Sequence, residues 1–326
     1  MTISELGEFG LIAAITASLG DAAAGGLVVA TGDDAAVVPA PDGRVVATTD
    51  MLLEGRHFRR DWSSAADIGH KAAARNFADV AAMGAVPTAL LVAFAGPGDL
   101  PVGWVLELAT GIGAECSAVG AKVAGGDTSR AESVLLSITA LGDLRGLQPV
   151  TRSGARPGDV VAVAGRLGFA AAGLALLGAG ADCQDSPVLG GLVDAHRRPR
   201  PPYAAGPQAA RLGATSMIDV SDGLIADLGH VAEASEVRIE LVTGCLMTEP
   251  VTLPDALGEA ASALGLADWA QWVLTGGDDH ALAATFPPSS GLPGGWTEIG
   301  KVASGHGVLI DGKMWTGAAG WDHFRP

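Results

Sequence analysis

Strand-like and helix-like segments alternate through both halves of the chain, and a polar stretch bearing prolines separates the halves. These observations predict an α/β protein, α+β in the sense of mixed sheets, with two domains at 1–148 and 149–326. The length of 326 residues agrees, since a single domain commonly holds about 150. Several strand pairs have connections too short for a crossover helix, so each domain should carry a mixed sheet covered by helices.

Ser4 with Leu6, Phe9, Leu11, Ile12 and Ile15 reads as a capped helix that ends near Gly20. Strand-like runs follow at Leu27–Ala30 and Val45–Thr48. Ser64 to Met83 has a serine N-cap and Gly84 as its stop, which predicts a helix. Thr88–Ala95 and Val134–Leu141 read as strands and Val102–Val119 as a helix between them. The stretch Arg145–Asp159 (RGLQPVTRSGARPGD) is the expected domain boundary. Beyond it, strand Val160–Ala164 leads through Gly165 and Gly168 into an Ala/Leu helix. Thr215–Val220, Leu224–Ser235 and Val237–Val242 form a strand–helix–strand unit. The tail should hold a loop at Pro287–Gly295, a strand at Thr297–Val302 and a hairpin turn at Asp311–Gly312.

Hydrophobic residues make up 48% and aromatic residues only 5%, so the cores must be built from Ala, Val and Leu. The 47 glycines fall between periodic segments and not in a G-x-y repeat, a globular pattern. A net charge of −16 argues against nucleic acid and against an anionic membrane surface. The three cysteines are odd in number, far apart and without C-x-x-C, which makes a disulfide framework or zinc site unexpected and suits a reducing compartment. The first residues carry Glu5 and Glu8 and no basic region, unlike a signal peptide. Asp21 and Asp33 interrupt the best candidate for a membrane span. A cytoplasmic protein is expected.

A recurring arrangement carries the functional argument: an apolar strand running into Gly or Thr and then aspartate. It occurs as VVATGDDAAVV (Asp33, Asp34), VVATTDM (Asp50), KVAGGDTS (Asp127) and SMIDVSDG (Asp219, Asp222). A lone aspartate at a strand end is a common turn former, but recurrence beside small residues points to a ligand. Small neighbours let the backbone approach a ligand and leave N–H groups for phosphate oxygens. Mg²⁺ takes a few carboxylates and lets phosphates complete its octahedron. Asp79 lies within a helix with Lys71 and Arg75 at i, i+4 spacing, so a solvated ion-pair ladder and a ligand-facing row both remain open. Other motifs fail. GWTEIGK at Gly295–Lys301 nearly matches a phosphate-binding loop, but Val302 replaces the required Ser/Thr and no helix follows. GIGAEC at Gly111 lacks the third glycine of a dinucleotide fingerprint.

Taken in order, the blocks GDDAAVV, TTDMLLEGRHF, NFADVAAMGAVP, GGDTSR, TRSGARPGD, DVSDGLIADLGHVAEAS and GGDDHAL resemble the thiamine-monophosphate kinase family, part of the superfamily of aminoimidazole ribonucleotide synthetase. The resemblance runs from GEF (Gly7–Phe9) to GWDHF (Gly320–Phe324). It implies magnesium ligands at Asp34, Thr48, Thr49, Asp50, Asp79, Asp127, Asp219 and Asp222. ATP contacts fall on Gly126, Asp127, Arg152 and Ser221, and substrate contacts on His57, Asp278 and Trp321. Asp50, Asp127 and Arg152 are the residues expected to carry the chemistry. Read without the resemblance, His57 is a capping or surface histidine and Trp321 a packing residue. The resemblance further implies a homodimer whose N-terminal domain sheets join across the two-fold axis, with the C-terminal domain completing the ATP and substrate site. One block departs: the family usually reads GGEDYEL where this chain has GGDDHAL, so Asp278 replaces Glu and His280 replaces Tyr.

The expected reaction is ATP-dependent phosphorylation of thiamine monophosphate to thiamine diphosphate, with Mg²⁺. Two alternatives stand beside it: another ATP-dependent enzyme of the same superfamily, or a regulatory module that holds Mg-ATP without turnover. Selenophosphate synthetases and hydrogenase-maturation carbamoyl dehydratases rely on a reactive cysteine or selenocysteine near the N-terminus or at the C-terminal end. Here the first cysteine is Cys116, inside an expected helix, and the last residues are WDHFRP.

Overall fold

The computed structural model describes residues 1–20, 26–28, 35–36, 38–183 and 185–321. The chain divides into two compact units, Met1–Val80 with Ala85–Gly146, and Ala81–Gly84 with Leu147–Pro326. Val29 and Ala30 of the expected strand Leu27–Ala30, and the acids Asp33 and Asp34, lie outside the described residues.

The first unit is built from α1 (Ile3–Leu6), α2 (Glu8–Leu19), β1 (Val46–Leu53), α3 (Ala65–Ala82), β2 (Val86–Gly96), α4 (Val102–Val119), β3 (Lys122–Arg130) and β4 (Leu135–Asp143). The single N-terminal helix expected from Ser4 is two helices. Thr2 is the cap, bonded reciprocally with Glu5, and Gly7 at φ 76° breaks the chain between α1 and α2. At α3 the expected cap holds: the Ser64 N–H donates to Asp67 and the Asp67 N–H to the Ser64 hydroxyl, at 3.0 and 3.2 Å. The sheet runs β1-β4-β2-β3 and is mixed: β2 and β3 are parallel, with α4 in the connection, and the other pairs are antiparallel. At 18 residues α4 is long and apolar enough to cross a membrane, whereas the sequence had pointed to the run that Asp21 and Asp33 interrupt as the best candidate. Half of it is buried within the fold, as in a core helix.

The second unit contains β5 (Val160–Ala164), α5 (Phe169–Ala179), α6 (Pro187–Arg197), α7 (Ala205–Arg211), β6 (Ser216–Val220), α8 (Leu224–Ala234) and β7 (Arg238–Leu241). There follow α9 (Thr243–Leu246), α10 (Pro254–Ala263), α11 (Ala270–Thr275), β8 (Ala281–Phe286), β9 (Trp296–Ala303), β10 (Gly307–Ile310) and β11 (Lys313–Met314). Its sheet has the order β11-β10-β7-β9-β5-β8-β6, with β10 and β7 parallel and the rest antiparallel. Strands β6 and β8 are buried at every residue. One core places Val161, Val163, Ile218 and Val220 against Leu176, Leu224 and Leu228, and the other places Ala162, Met217 and Phe286 against Ala81 and Ala209. Burial on both faces is why these strands read as continuous apolar runs without alternation. The hairpin turn falls where expected, with Asp311 at φ 49° and Gly312 at φ 77° between β10 and β11.

In the first unit α3 and α4 touch backbone to backbone. A Cβ on Gly69 would lie 2.1 Å from the Leu108 carbonyl oxygen, and one on Gly111 2.1 Å from that of Ala66. Gly69→Ala should therefore cost about 1–3 kcal/mol by forcing the helices apart. Gly191→Ala, on the exposed face of α6 with open space around it, should instead gain about 0.5–1 kcal/mol. Urea denaturation of both variants checks this, and equal midpoints would refute the packing argument.

Candidate active-site acids in each unit

In the first unit Asp50 and Asp127 sit inside strands, whereas the sequence had suggested strand ends. Pairing of β1 with β4 continues past Asp50↔Ile138 to Leu53↔Leu135, and β3 continues past Asp127, which pairs with Ala93, to Arg130. Period-two geometry puts Thr48, Asp50 and Leu52 on the face toward α3. There the Thr48 hydroxyl donates to the Asp79 carboxylate at 2.8 Å, and Arg75 Nε meets Asp50 at 3.3 Å. Lys71 is buried and the Arg75 side chain is only 12% exposed, so the row on α3 is not a solvated ladder. Thr49 faces the other way, where its hydroxyl bonds the Ile138 carbonyl and Thr139. Only its main-chain oxygen could join a metal on the Asp50 side.

Asp127 is exposed, and the following N–H, of Thr128, donates to its carboxylate at 2.9 Å. Gly126 has to be glycine, because a Cβ there would lie 1.9 Å from the Val92 carbonyl oxygen. The Gly125–Thr128 segment closes one end of a mainly apolar cavity of about 100 Å³, walled by Ile12, Ile15, Leu108 and Ile112. His57 caps the turn after β1, its Nδ1 accepting the Leu53 N–H at 3.0 Å, so any ligand contact falls to Nε2.

In the second unit the turn Ser221–Gly223, between β6 and α8, is held from inside. One oxygen of Asp227 accepts the N–H groups of Ser221, Asp222 and Gly223 at 3.0, 3.1 and 3.1 Å. Those amides are thus not available for phosphate, contrary to what small neighbours suggested, and a Ser221 contact would use its hydroxyl. Burial pushes the Asp227 carboxyl up to about 8, and the nearby charges of Asp219 and Asp222 add to the shift. The carbonyls of this segment accept in turn: Val220 from His280 N–H at 2.9 Å, Ser221 from Asp278 N–H at 2.8 Å and Asp222 from Trp321 N–H at 2.9 Å. The expected substrate residues Asp278 and Trp321 are therefore tied to Ser221, an expected ATP contact, and to Asp222, an expected metal residue. Gly277 permits the approach, since a Cβ there would lie 2.3 Å from the Ser221 oxygen.

Asp279, between Asp278 and His280, turns to α5 and accepts the Gly168 and Ala170 N–H groups at 2.6 and 2.8 Å. Burial raises its carboxyl to about 7. Sequence reasoning passed over Asp227 and Asp279. The available signal was an acid in the first turn of α8 and the second acid of GGDD. Arg152 lies in a short 3₁₀ turn, its side chain exposed and its carbonyl bonded by the Ser235 hydroxyl at 2.7 Å. The Trp321 side chain is 55% exposed, not packed away as its bland reading had it. Among the described residues no three His, Cys, Asp or Glu side chains converge on a metal-holding position. Hydroxyl and carboxylate oxygens in twos, such as Thr48 with Asp79, fit a hard cation that keeps water or phosphate for its remaining positions.

The first unit, a mixed sheet under helices with aspartates beside glycines, contains most of the residues, 32–144, that match the model of the AIR synthase related protein N-terminal domain. A thiamine-monophosphate kinase of Mycobacterium tuberculosis is 46% identical over 324 residues, covering 99% of this chain and 93% of that protein. The crystal structure of thiamine-monophosphate kinase from Stenotrophomonas maltophilia K279a matches at a TM-score of 0.81 and 33% identity, over 94% of this chain and 96% of that one. AaThiL complexed with AMPPCP and TMP matches at 0.79 and 34%, over 99% of both chains. The chain belongs to the thiamine-monophosphate kinase family.

The Asp227 assignment has a pH signature. Between about pH 4 and 8 the folded protein holds a proton on this carboxyl that the unfolded chain has lost, so stability falls as pH rises through that window. The slope from one such group is at most about 1.4 kcal/mol per pH unit. Asp227→Asn keeps an acceptor oxygen and removes the titration. Its melting temperature should fall less between pH 5 and 8 than that of the wild type, and parallel curves would show that Asp227 does not titrate in this range.

Proposed function

We infer that this protein transfers the γ-phosphoryl group of ATP to thiamine monophosphate, forming thiamine diphosphate and ADP in the cytoplasm. The observation that carries the reading is the full-length likeness to thiamine-monophosphate kinases, AaThiL complexed with AMPPCP and TMP among them. The acceptor phosphate is already ionised at neutral pH, so no strong general base is needed. The obstacle is repulsion: two unit charges at 4 Å repel by about 4 kcal/mol at an effective dielectric near 20. Magnesium bound to the acids would offset that repulsion and the charge developing in transfer.

The chain's own residues supply the rest. Thr48, Asp50 and Asp79 are the metal-holding candidates of the first unit, with Asp34 from the resemblance. Asp219 and Asp222 are those of the second. Gly126 lets nucleotide approach the backbone, and Asp127 serves both metal and nucleotide. Arg152 supplies an exposed cation for phosphate oxygens, and the Ser221 hydroxyl a donor. His57, Asp278 and Trp321 bind the thiamine moiety. These groups align donor and acceptor for direct in-line displacement, so catalysis rests on placement and charge stabilisation.

A homodimer fits the sheet of the first unit. Its face opposite Thr48 and Asp50 leaves Met51 49%, Leu53 36% and Leu91 39% exposed, an apolar surface that a second copy would cover. Leu91→Arg should shift the mass in multi-angle light scattering from dimer to monomer. An unchanged mass would remove this face from the interface.

Product chromatography should show thiamine monophosphate phosphorylated and free thiamine untouched. Turnover of thiamine with none of its monophosphate would overturn the reading. Asp50→Asn and Asp127→Asn should each lower kcat at saturating Mg²⁺ by at least about 100-fold, the scale on which a lost charge-stabilising group is felt. Circular dichroism should show the fold retained.

A further inference from the structure

His280 stands where the family usually has tyrosine, and the structure puts it at the junction of two acids. Its side chain is 2% exposed. Nδ1 lies 3.1 Å from Asp219 Oδ2, within hydrogen-bond distance, so Nδ1–H donates to that carboxylate. Nε2 lies 3.8 Å from Asp278 Oδ1 and has no hydrogen-bond partner. On the other side of Asp278, His196 at the end of α6 brings Nδ1 to 4.0 Å from Oδ2. The Asp278 side chain is 26% exposed, so it lies between two enclosed imidazoles and the solvent.

The backbone supports the same arrangement. Asp278 and His280 both adopt the left-handed conformation, at φ 67° and 51°. Their N–H groups are bonded to Ser221 and Val220 of the segment that carries Asp219. A residue other than glycine at positive φ is uncommon, and here main-chain bonds to a neighbouring segment hold it. One hydrogen bond, His280 to Asp219, and one close approach, His280 to Asp278 at 3.8 Å, thus connect an acid proposed to hold metal with an acid proposed to meet thiamine. A carboxylate one methylene shorter than the family's glutamate has less reach and depends more on where it is aimed.

We propose that His280 is a positioning residue for this reaction, with Nδ1 orienting Asp219 and the Nε2 edge of the ring setting the Asp278 carboxylate toward substrate. The inference rests on the kinase reading. It makes a prediction that a purely packing role does not: the two edges of the ring can be separated by substitution. In His280→Asn the side-chain amide nitrogen takes the place of Nδ1, and asparagine tolerates the left-handed backbone. His280→Ala removes both edges.

The experiment is calorimetric titration of thiamine monophosphate into protein loaded with AMPPCP and Mg²⁺, with the Mg²⁺ half-saturation of turnover measured alongside. His280→Asn should weaken thiamine monophosphate binding about tenfold, with AMPPCP affinity and Mg²⁺ half-saturation within about twofold of wild type. His280→Ala should weaken substrate binding equally and also raise the Mg²⁺ half-saturation. If both variants bind substrate and Mg²⁺ as the wild type does and differ only in melting temperature, His280 is a packing residue and the proposal fails. Wild-type protein that binds no thiamine monophosphate would remove the kinase reading itself, a result distinct from wild-type binding that the variants leave unchanged.

Discussion

The second unit is organised around one carboxylate. Asp227 draws three successive N–H groups of the turn after β6 onto a single oxygen, which fixes the direction of the carbonyls on either side. Those carbonyls receive Asp278, His280 and Trp321, so segments far apart in sequence are registered against the same four residues, 220–223. Without Asp227, three buried or half-buried amides would have no acceptor and the carbonyl pattern nothing to hold it. Enclosure is costly for the acid, which is why its proton is retained to about pH 8. The acid that holds the turn is thus kept near neutral, while those proposed to meet metal lie beside it.

The first unit solves the same problem with a helix. Asp50 and Asp79 are steadied by Arg75 and Thr48, one side chain reaching from α3 to β1 and the other from β1 to α3. Carboxylates gathered in a protein of net charge −16 raise one another's energy unless positive charge is brought to them. The arrangement is suited to a partner that supplies positive charge, and a nucleotide with its magnesium does so while bringing phosphates to be aligned. An acidic protein can bind polyanionic substrates on this basis, even though its overall charge would repel them.

Much of this was legible in the residues. The alternation of elements, the mixed sheets, the Ser64 cap, the Gly84 stop and the Asp311–Gly312 turn follow from local rules of capping, period and left-handed glycine. The order of the acid-bearing blocks sufficed to name the family. Local rules also set where acids would occur but not their depth in a strand. Asp50 and Asp127 lie mid-strand because β4 and β2 extend the pairing, and partners 88 and 34 residues away (Ile138 and Ala93) leave no local trace. The same reason hid β8, whose ALAATF carries no alternation because both its faces are buried.

What the sequence by itself determined was therefore the fold class, the family and the residue types available for the chemistry, since these depend on neighbours in the chain. What only the tertiary structure decided was partnership. It made Arg75 the companion of Asp50 and not a surface cation, and it turned Thr49 away from Thr48. It gave the two acids of GGDD different work, Asp279 capping α5 and Asp278 facing His280. Hydrogen bonds and charge act over a few ångströms of space, and that distance is set by packing between remote segments.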